Sequence, residues 1–199
     1  MQGINNIRKI SLWIFIVPVV VLNACLYISV NYELLQGTMF EVDPIGQSGF
    51  TIPYIDGSLS ISRTARTYPT YLLFKPGMII TSVLLIKFWI ENNNFFKKVG
   101  YKNYKNKYFL YFGIFSAIFL IIHSILLGIN FDTDLYKFFK RFVLLGFIIF
   151  EIIAQTILVI NILKVKKEIL NLINPKILFL KIFLVSILII VAILSAPIL

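Results

Sequence analysis

Two arginines, three positions apart, are the residues of this sequence best suited to bind a charged ligand. Arg63 and Arg66 stand at the end of a long polar stretch between the first two apolar runs. A guanidinium group presents a planar fork of N–H donors that matches the oxygens of a phosphate or a carboxylate. The spacing therefore predicts a pair of side chains that can hold one anion.

Five further residues are candidates for the same ligand-binding site, because the predicted topology places them at the same end of the molecule. They are Tyr54, Asp56, Lys75, His123 and Arg141. Lys75 lies only four residues into an apolar run, where its amine cannot extend far toward water and is expected to face an anion. In the opposite interpretation, Glu41, Asp43 and Asp56 neutralise the arginines within the protein. The sequence leaves both interpretations open.

Glu151 stands near the middle of another apolar run. A lone charge at the centre of a membrane costs about 3 kcal/mol on insertion, so this carboxyl group must be neutral, paired or facing a polar cavity. Gln155 lies four residues further on, hence on the same face of a helix, and can share hydrogen bonds with it. The two intramembrane polar residues form either a clamp between helices or a functional site.

His123 is the single histidine of the chain, and its imidazole can exchange a proton near neutral pH. It acts either as a general base or as a neutral ring bonded to a neighbouring carbonyl or to Ser124. The serines near Arg63 show no nucleophile elbow, so the catalytic residues of any enzyme stay unassigned. With one histidine and one cysteine, Cys25, the sequence predicts neither a metal site nor a cofactor.

The composition indicates where these residues lie. Of 199 residues, 59% are hydrophobic and 14% are charged, whereas soluble domains have about 45–50% and about 25%. A net charge of +10 would suggest nucleic acid as a partner only if a water-soluble fold carried a basic face. The composition therefore favours an integral membrane protein over a nucleic-acid-binding domain.

Five apolar runs are long enough to cross a membrane as helices, since a hydrocarbon core of about 30 Å takes about 20 residues. They cover residues 10–30, 71–90, 108–129, 142–163 and 177–199. Lipid offers the backbone no hydrogen-bond partner, so helices are required. The predicted fold is all-α: a single polytopic membrane domain over residues 1–199, a bundle of five transmembrane helices with a long structured outer loop at residues 31–70.

The basic residues are divided unevenly between the two membrane faces. If the N-terminus is cytoplasmic, thirteen Lys and Arg residues lie on the cytoplasmic side and six on the outer side. Basic loops are retained in the cytoplasm. The sequence thus predicts a multi-pass protein with its N-terminus in the cytoplasm, its C-terminus outside, and Arg63 and Arg66 at the outer face.

The outer loop carries two competing local patterns. Asp56-Gly57 is typical of a tight hairpin turn, and serine alternates with apolar residues over residues 58–62, as in a half-buried strand. In the competing interpretation, Asp56 or Ser58 caps a short helix that leads to Arg66. We favour a hairpin or an extended plug that lies on the helices.

Two motifs carry a resemblance to a known family. Pro53-Tyr54-Ile55-Asp56-Gly57-Ser58 is similar to a Pro-Tyr-Ile-Ser-Asp-Thr-Gly signature, and the segment from Phe150 to Leu158 is similar to an aromatic-rich helix ending in Gln-Thr-Ile-Leu. Both belong to the DRAM-like family, which comprises damage-regulated autophagy modulators and the related FGF-receptor-activating and GPI-anchor lipid-remodelling proteins. The likeness covers about residues 8–165. It implies an integral membrane protein concerned with lipid or membrane regulation, although family members usually have six helices.

These observations support one leading hypothesis and two alternatives. The leading hypothesis is a DRAM-like protein that binds or helps remodel membrane lipid in a cationic pocket at the outer leaflet. The first alternative is a lipid hydrolase or acyltransferase that uses His123. The second is a small transporter or an accessory subunit of a membrane complex, in which Glu151 carries protons or contacts a partner helix. The expected partners are membrane lipids, with other membrane proteins as a further class, and no nucleic acid.

Overall fold

The computed structural model describes residues 2–49, 60–99, 107–129, 133–165 and 174–195. This part of the chain forms the helices α1 (Gln2–Val30), α2 (Ile61–Thr64), α3 (Thr70–Lys98), α4 (Tyr108–Leu126), α5 (Asp134–Lys164) and α6 (Pro175–Ser195). All of them except α2 are long and apolar enough to cross a membrane. No strand occurs among the described residues. The predicted all-α class with five membrane helices is confirmed, and the chain is an integral, multi-pass membrane protein.

Three helices extend beyond the apolar runs that predicted them. α1 begins at Gln2, α3 continues to Lys98, and α5 begins at Asp134, each about two turns outside the predicted limit. Hydropathy marks only the part of a helix that lies in hydrocarbon. Because a helix satisfies its own backbone hydrogen bonds, it can continue into the headgroup region and into water.

Local sequence sets the ends of two other helices. α6 begins at Pro175, where the missing N–H is not needed by the first turn, and the side chain of Asn174 accepts the N–H of Lys176 at 2.9 Å. α4 ends at Leu126 and is followed by Gly128 with a φ of 86°, a conformation that glycine adopts without strain. These signals place the ends within one turn of the predicted limits.

The stretch between α1 and α3 is built from short helical turns. Tyr32–Leu35 and Pro44–Gly46 form 3₁₀ turns, and the N–H of Ser48 donates to the carbonyl oxygen of Ser29 in α1 at 3.2 Å. The described part of the predicted outer loop is therefore structured, and it is hydrogen-bonded to the first membrane helix.

The strand predicted for residues 58–62 is wrong over the residues that the structure describes. Ser60 is the N-cap of α2, and its hydroxyl accepts the backbone N–H of Arg63 at 3.1 Å. A serine that bonds to nearby backbone favours a helix start over a strand ladder. The short helix was anticipated with its cap at Asp56 or Ser58, and the structure moves the cap to Ser60. The rest of the predicted hairpin, including Tyr54, lies outside the described residues.

The contacts divide the chain into two compact units. We call one the loop unit, which comprises Ser11–Leu84 and Phe119–Leu144. We call the other the aromatic unit, which comprises Met1–Ile10, Leu85–Ile118 and Leu145–Leu199. The single membrane domain expected from the sequence stays a prediction.

The core of the loop unit joins α1 to α3. It contains Val21, Cys25, Ala65, Phe74, Met78 and Leu127. A Cβ atom at Gly77 would lie 2.5 Å from the side chain of Val21, so glycine at this position lets the two helices approach closely. Cys25 is 1% exposed, and its thiol donates to the carbonyl oxygen of Thr70 at 3.5 Å.

The core of the aromatic unit is built around Trp89, which has no exposed surface. Its ring centroid lies 6.2 Å from that of Phe109, which in turn lies 5.7 Å from that of Phe96. A Cβ atom at Gly113 would lie 2.3 Å from the indole ring. Because lipid tails are as apolar as these side chains, close packing rather than hydrophobicity must hold such helices together.

Candidate functional site

An open cavity of about 700 Å³ lies in the loop unit, between the first turn of α3 and the residues that follow α4. We call it the loop cavity. It is lined by Asp43, Pro44, Ile45, Arg63, Arg66, Thr67, Tyr68, Tyr71 and Gly128. Small-molecule sites typically measure about 300–1,000 Å³. The two arginines that the spacing predicts as a ligand pair therefore line one cavity of suitable size.

The local sequence fixes how the arginines are presented. The Ser60 cap starts α2 just before Arg63, and the hydroxyl of Thr64 donates to the carbonyl oxygen of Ser60 at 3.2 Å. The Nε–H of Arg66 donates to the carbonyl oxygen of Ser62 at 2.8 Å, which sets the direction of its guanidinium group. Both arginine side chains are exposed.

The facing wall is formed by a segment distant in sequence. The N–H of Asp43 donates to the carbonyl oxygen of Tyr68 at 3.1 Å, and the N–H of Tyr68 donates to Oδ2 of Asp43 at 3.1 Å. The hydroxyl of Tyr68 donates to the carbonyl oxygen of Met39, and the Tyr68–Pro69 peptide bond is cis. Reciprocal backbone and side-chain bonds thus hold Asp43 at the wall.

Three buried threonines anchor the back of the loop. The hydroxyl of Thr67 lies 3.1 Å from the carbonyl oxygen of Thr64, and that of Thr70 lies 2.9 Å from the carbonyl oxygen of Thr67. A Cβ atom at Gly46 would lie 2.5 Å from Oγ1 of Thr67. Glycine therefore allows the 3₁₀ turn after Asp43 to pack against the threonines, and hydrogen bonds inside the protein satisfy the buried hydroxyls.

Two residues at the ends of membrane helices complete the loop cavity. A Cβ atom at Gly128 would lie 3.3 Å from the carbonyl oxygen of Arg66, so the positive-φ glycine also brings the end of α4 close to this arginine. Tyr71 lies in the first turn of α3, and Nζ of Lys75 lies 5.2 Å from the centroid of its ring. Lys75 thus contacts a residue that lines the cavity.

Neither cationic group of the loop cavity forms an ion pair with a carboxylate of the described residues. Within the described part of the chain, the one ion pair joins Lys137 to Asp134. The neutralisation by Glu41 and Asp43 that the sequence allows is not found as ion pairing, since both carboxylates accept backbone N–H groups instead. Asp56, the third acid considered, lies outside the described residues.

The remaining predicted ligand residues are placed as follows. Tyr54 lies outside the described residues, like Asp56. Lys75, His123 and Arg141 do not line the loop cavity, although Lys75 is linked to it through Tyr71, and Arg141 is exposed on α5. Their participation in ligand binding stays a prediction.

His123 lies near the end of α4. Its Nδ1 atom is buried and has no hydrogen-bond partner among the residues that the structure describes, and the hydroxyl of Ser124 donates to the carbonyl oxygen of Leu120 at 2.7 Å. The expected bond from the imidazole to a carbonyl or to Ser124 is therefore not made by this nitrogen. Lys140 interacts with the ring electrostatically, and a catalytic use of His123 stays a prediction.

A second polar site lies in the aromatic unit, and we call it the Glu151 cluster. It consists of Glu151, Ser116, Gln155, Lys181 and Trp89. The hydroxyl of Ser116 lies 2.6 Å from Oε2 of Glu151, and Nε2 of Gln155 donates to Oε1 at 2.9 Å. Lys181 interacts electrostatically with the same carboxyl group. The bond between Glu151 and Gln155 is the one that their spacing predicts.

Two members of the Glu151 cluster extend it toward α3. Nζ of Lys181 lies 5.7 Å from the ring centroid of Phe88, in position for a cation–π contact. Within the described ranges, the buried indole nitrogen of Trp89 meets no acceptor at hydrogen-bonding geometry, although it lies near the carboxyl group of Glu151. Side chains from α3, α4, α5 and α6 thus converge on one carboxyl group.

Three members of this cluster were not predictable from local patterns: Ser116, Trp89 and Lys181. Ser116 and Glu151 are 35 positions apart. Helical periodicity relates only residues three or four positions apart, so it does not predict this contact. Lys181 did carry a signal, because it is a charge inside the last apolar run, as Glu151 is inside the fourth. Its position also fits a marker of the cytoplasmic side, and the two charges together are what indicate a pair of partners inside the membrane.

Comparisons with protein-family models, with curated proteins and with solved structures find no match to this chain. The function is therefore inferred from the geometry of the two sites. The loop cavity presents cations to open space, whereas the Glu151 cluster directs its polar atoms at one another. The first arrangement is suited to binding a ligand, and the second to joining helices.

Proposed function

We propose that this integral membrane protein binds a membrane lipid by its phosphate group in the loop cavity, and so holds the lipid or assists its remodelling. One observation carries the proposal. Arg63 and Arg66 line a single cavity at the ends of two membrane helices, and neither forms an ion pair within the described ranges.

The position of the cavity favours a lipid as the source of the phosphate. Tyr71 is in the first turn of α3, and Gly128 directly follows α4, so the cavity lies where two apolar helices end. Lipid phosphates and tyrosine rings both concentrate at this level of a membrane. Leu72 and Leu73, next to Tyr71, are exposed on α3 and offer an apolar surface for acyl chains.

The chemistry of the cavity favours a phosphate as the group recognised. Hydrogen bonds between charged partners contribute about 1.5–3 kcal/mol each, and the planar guanidinium fork can place two of them on one phosphate. Nε of Arg66 is already bonded to the carbonyl oxygen of Ser62, so its terminal nitrogens are the ones directed at a ligand.

We further infer that the protein is DRAM-like and that its N-terminus is cytoplasmic. The motif segment from Phe150 to Leu158 lies wholly within α5, and Gln155 makes its hydrogen bond there to Glu151. The excess of Lys and Arg on the side of the N-terminus supports the orientation. In that orientation the loop cavity faces the outer leaflet.

Native mass spectrometry of the purified full-length protein tests the phosphate site. The double variant Arg63→Gln, Arg66→Gln should lower the retention of co-purified phospholipid by at least about 10-fold, because the loss of even one hydrogen bond between charged groups has an effect of that size. The matched control is Arg8→Gln, Lys9→Gln, which removes the same charge from exposed positions of α1 and should retain lipid normally. Equal retention in the two double variants would contradict the proposal.

A single variant tests whether the ligand site predicted from the sequence extends beyond the loop cavity. Arg141→Gln removes the exposed arginine of α5, which the sequence assigns to the ligand site and which does not line the loop cavity. A loss of lipid comparable to that of Arg63→Gln would place Arg141 in the same site. Retention equal to that of the wild-type protein would restrict the site to the cavity.

A further inference from the structure

We infer that the loop cavity selects a zwitterionic phospholipid headgroup, such as phosphoethanolamine, over a headgroup that carries negative charge alone. The inference rests on the phosphate site proposed above and names the class of lipid that fits it. In this arrangement the phosphate lies on Arg63 and Arg66. The ammonium group lies between the carboxylate of Asp43 and the ring of Tyr68.

A carboxylate in a cavity that already holds two arginines is the first observation. Asp43 lines the loop cavity, is exposed, and takes no part in an ion pair within the described part of the chain. Its reciprocal bonds with Tyr68, both 3.1 Å long, fix it at the wall. A ligand with negative charge alone would be repelled by this group, whereas an ammonium group would be attracted to it.

Aromatic rings beside the carboxylate are the second observation. Tyr68 and Tyr71 both line the cavity, with ring centroids 5.9 Å apart and planes inclined by 58°. Ammonium groups bind over the faces of aromatic rings. The ring of Tyr71 already has Nζ of Lys75 at 5.2 Å, which occupies one of its faces. Tyr68 together with Asp43 therefore forms the ammonium subsite.

The placement of the charges, rather than their sum, favours a zwitterion over a simple anion. Asp43 forms no ion pair with Arg63 or Arg66 in the described part of the chain, so when both arginines hold the phosphate, its carboxylate is left to face a cation of the ligand. Phosphoethanolamine and phosphocholine carry that cation within the same headgroup. Phosphatidylglycerol offers Asp43 only hydroxyl donors, and its bonds to a carboxylate lack the added attraction between opposite charges. Discrimination between these lipids therefore depends on Asp43, and affinity for both depends on the arginines.

Lipid competition on the purified full-length protein tests the inference. The protein in detergent is offered phosphatidylethanolamine and phosphatidylglycerol with identical acyl chains in equal amounts, and the retained lipid is counted by native mass spectrometry. The wild-type protein should retain mainly phosphatidylethanolamine. Asp43→Asn, whose amide oxygen can still accept the N–H of Tyr68, should lower that retention about tenfold, the worth of one charged hydrogen bond. Retention of phosphatidylglycerol should not fall.

Two further variants separate this inference from the phosphate site. Glu41→Gln is the matched control, since Glu41 is an exposed carboxylate of the same loop that accepts the N–H of Gly37 and does not line the cavity. It should keep the wild-type preference. Arg63→Gln, Arg66→Gln should lose both lipids together. If Asp43→Asn leaves the preference unchanged while the arginine variant loses both lipids, selection by Asp43 is overturned and the phosphate site stands.

A soluble headgroup distinguishes the membrane from water as the source of the ligand. Glycerophosphoethanolamine carries the same phosphate and ammonium groups without acyl chains. We expect it to displace phosphatidylethanolamine only at a large excess, because the exposed apolar surface of α3 binds the chains. Displacement at equal concentration would overturn a lipid as the ligand.

Discussion

The two polar sites of this protein differ in what satisfies their charges. In the Glu151 cluster, both carboxylate oxygens have side-chain partners, at 2.6 and 2.9 Å, and a lysine interacts with the same group. In the loop cavity, the arginines are exposed and neither has a carboxylate partner among the described residues. The protein thus satisfies the polar groups of one site with its own side chains, whereas the arginines of the other site are open to a ligand.

This difference indicates which property each site controls. A polar group whose partners are protein atoms leaves an unsatisfied neighbour behind when it is removed, so its loss appears in the free energy of unfolding. When a polar group that faces open space is removed, no neighbouring protein atom loses a partner, so the free energy of unfolding changes little. The effect of its removal is expected in ligand binding. We therefore expect substitutions in the Glu151 cluster to change stability, and substitutions around the loop cavity to change lipid retention.

The largest effect is expected from Glu151→Leu. The substitution removes the acceptor of Ser116 and Gln155 and leaves Lys181 without its opposite charge. Each polar group left without its partner inside the protein costs about 1–3 kcal/mol, and more when it is charged, so the midpoint of unfolding in detergent should fall sharply. The exposed loop variant Glu33→Leu should change the free energy of unfolding by less than about 0.5 kcal/mol.

A double variant sharpens this test of the Glu151 cluster. Glu151→Leu, Lys181→Leu replaces both charges by apolar groups, an exchange that is often neutral or stabilising for buried pairs. Recovery of part of the lost stability would show that the two residues interact, while Ser116 and Gln155 remain without their acceptor. A double variant as unstable as Glu151→Leu alone would show that the lysine is not part of the cluster.

An intermediate effect is expected from Gly113→Ala. The added methyl group would lie 2.3 Å from the ring of Trp89, and an overpacked core typically loses about 1–3 kcal/mol. Thermal unfolding followed by tryptophan fluorescence measures the change. The control is Gly3→Ala in α1, where no described atom beyond the chain neighbours and the backbone of the same helix lies within 4 Å of the new Cβ and alanine is the better helix former. Equal midpoints for the two variants would show that Trp89 does not require glycine at this position.

The smallest effect on stability, and the clearest on binding, is expected from Ser60→Ala. Loss of an N-cap costs about 0.5–2 kcal/mol, here confined to a four-residue helix. We expect lipid retention to fall about fivefold, because Arg63 is no longer held, while the unfolding midpoint of the whole protein barely moves. Ser62→Ala, on the same short helix, should behave as the wild type. A fall in stability without loss of lipid would reverse the assignment of the two sites.

Much of the fold was predictable because it depends on runs of similar residues. Apolar segments of sufficient length located the five membrane helices, and the spacing of four residues located the bond between Glu151 and Gln155. The helix ends were harder to predict from the sequence. The first turn of α5, which begins at Asp134, is too polar to be recognised as part of a membrane-spanning helix by its hydropathy.

The missed parts of both sites depend on contacts between distant segments. Asp43 and Tyr68 are 25 positions apart, and no local pattern relates them. The start of α2 was ambiguous for a different reason, since alternating serine and apolar residues suit a strand as well as a capped helix. The hydrogen bond from the N–H of Arg63 to Ser60 decides between the two.

Because Cys25 is buried, cysteines introduced at other positions of the wild-type chain can be labelled selectively. The thiol is 1% exposed and enclosed between α1 and α3, out of reach of maleimides as long as the protein is folded. It is also the single cysteine of the sequence. A cysteine introduced at Ser62 or at Lys9 would therefore be the one position to react, and reagents that cannot cross the bilayer would show directly which compartment each position faces, without prior removal of the native thiol.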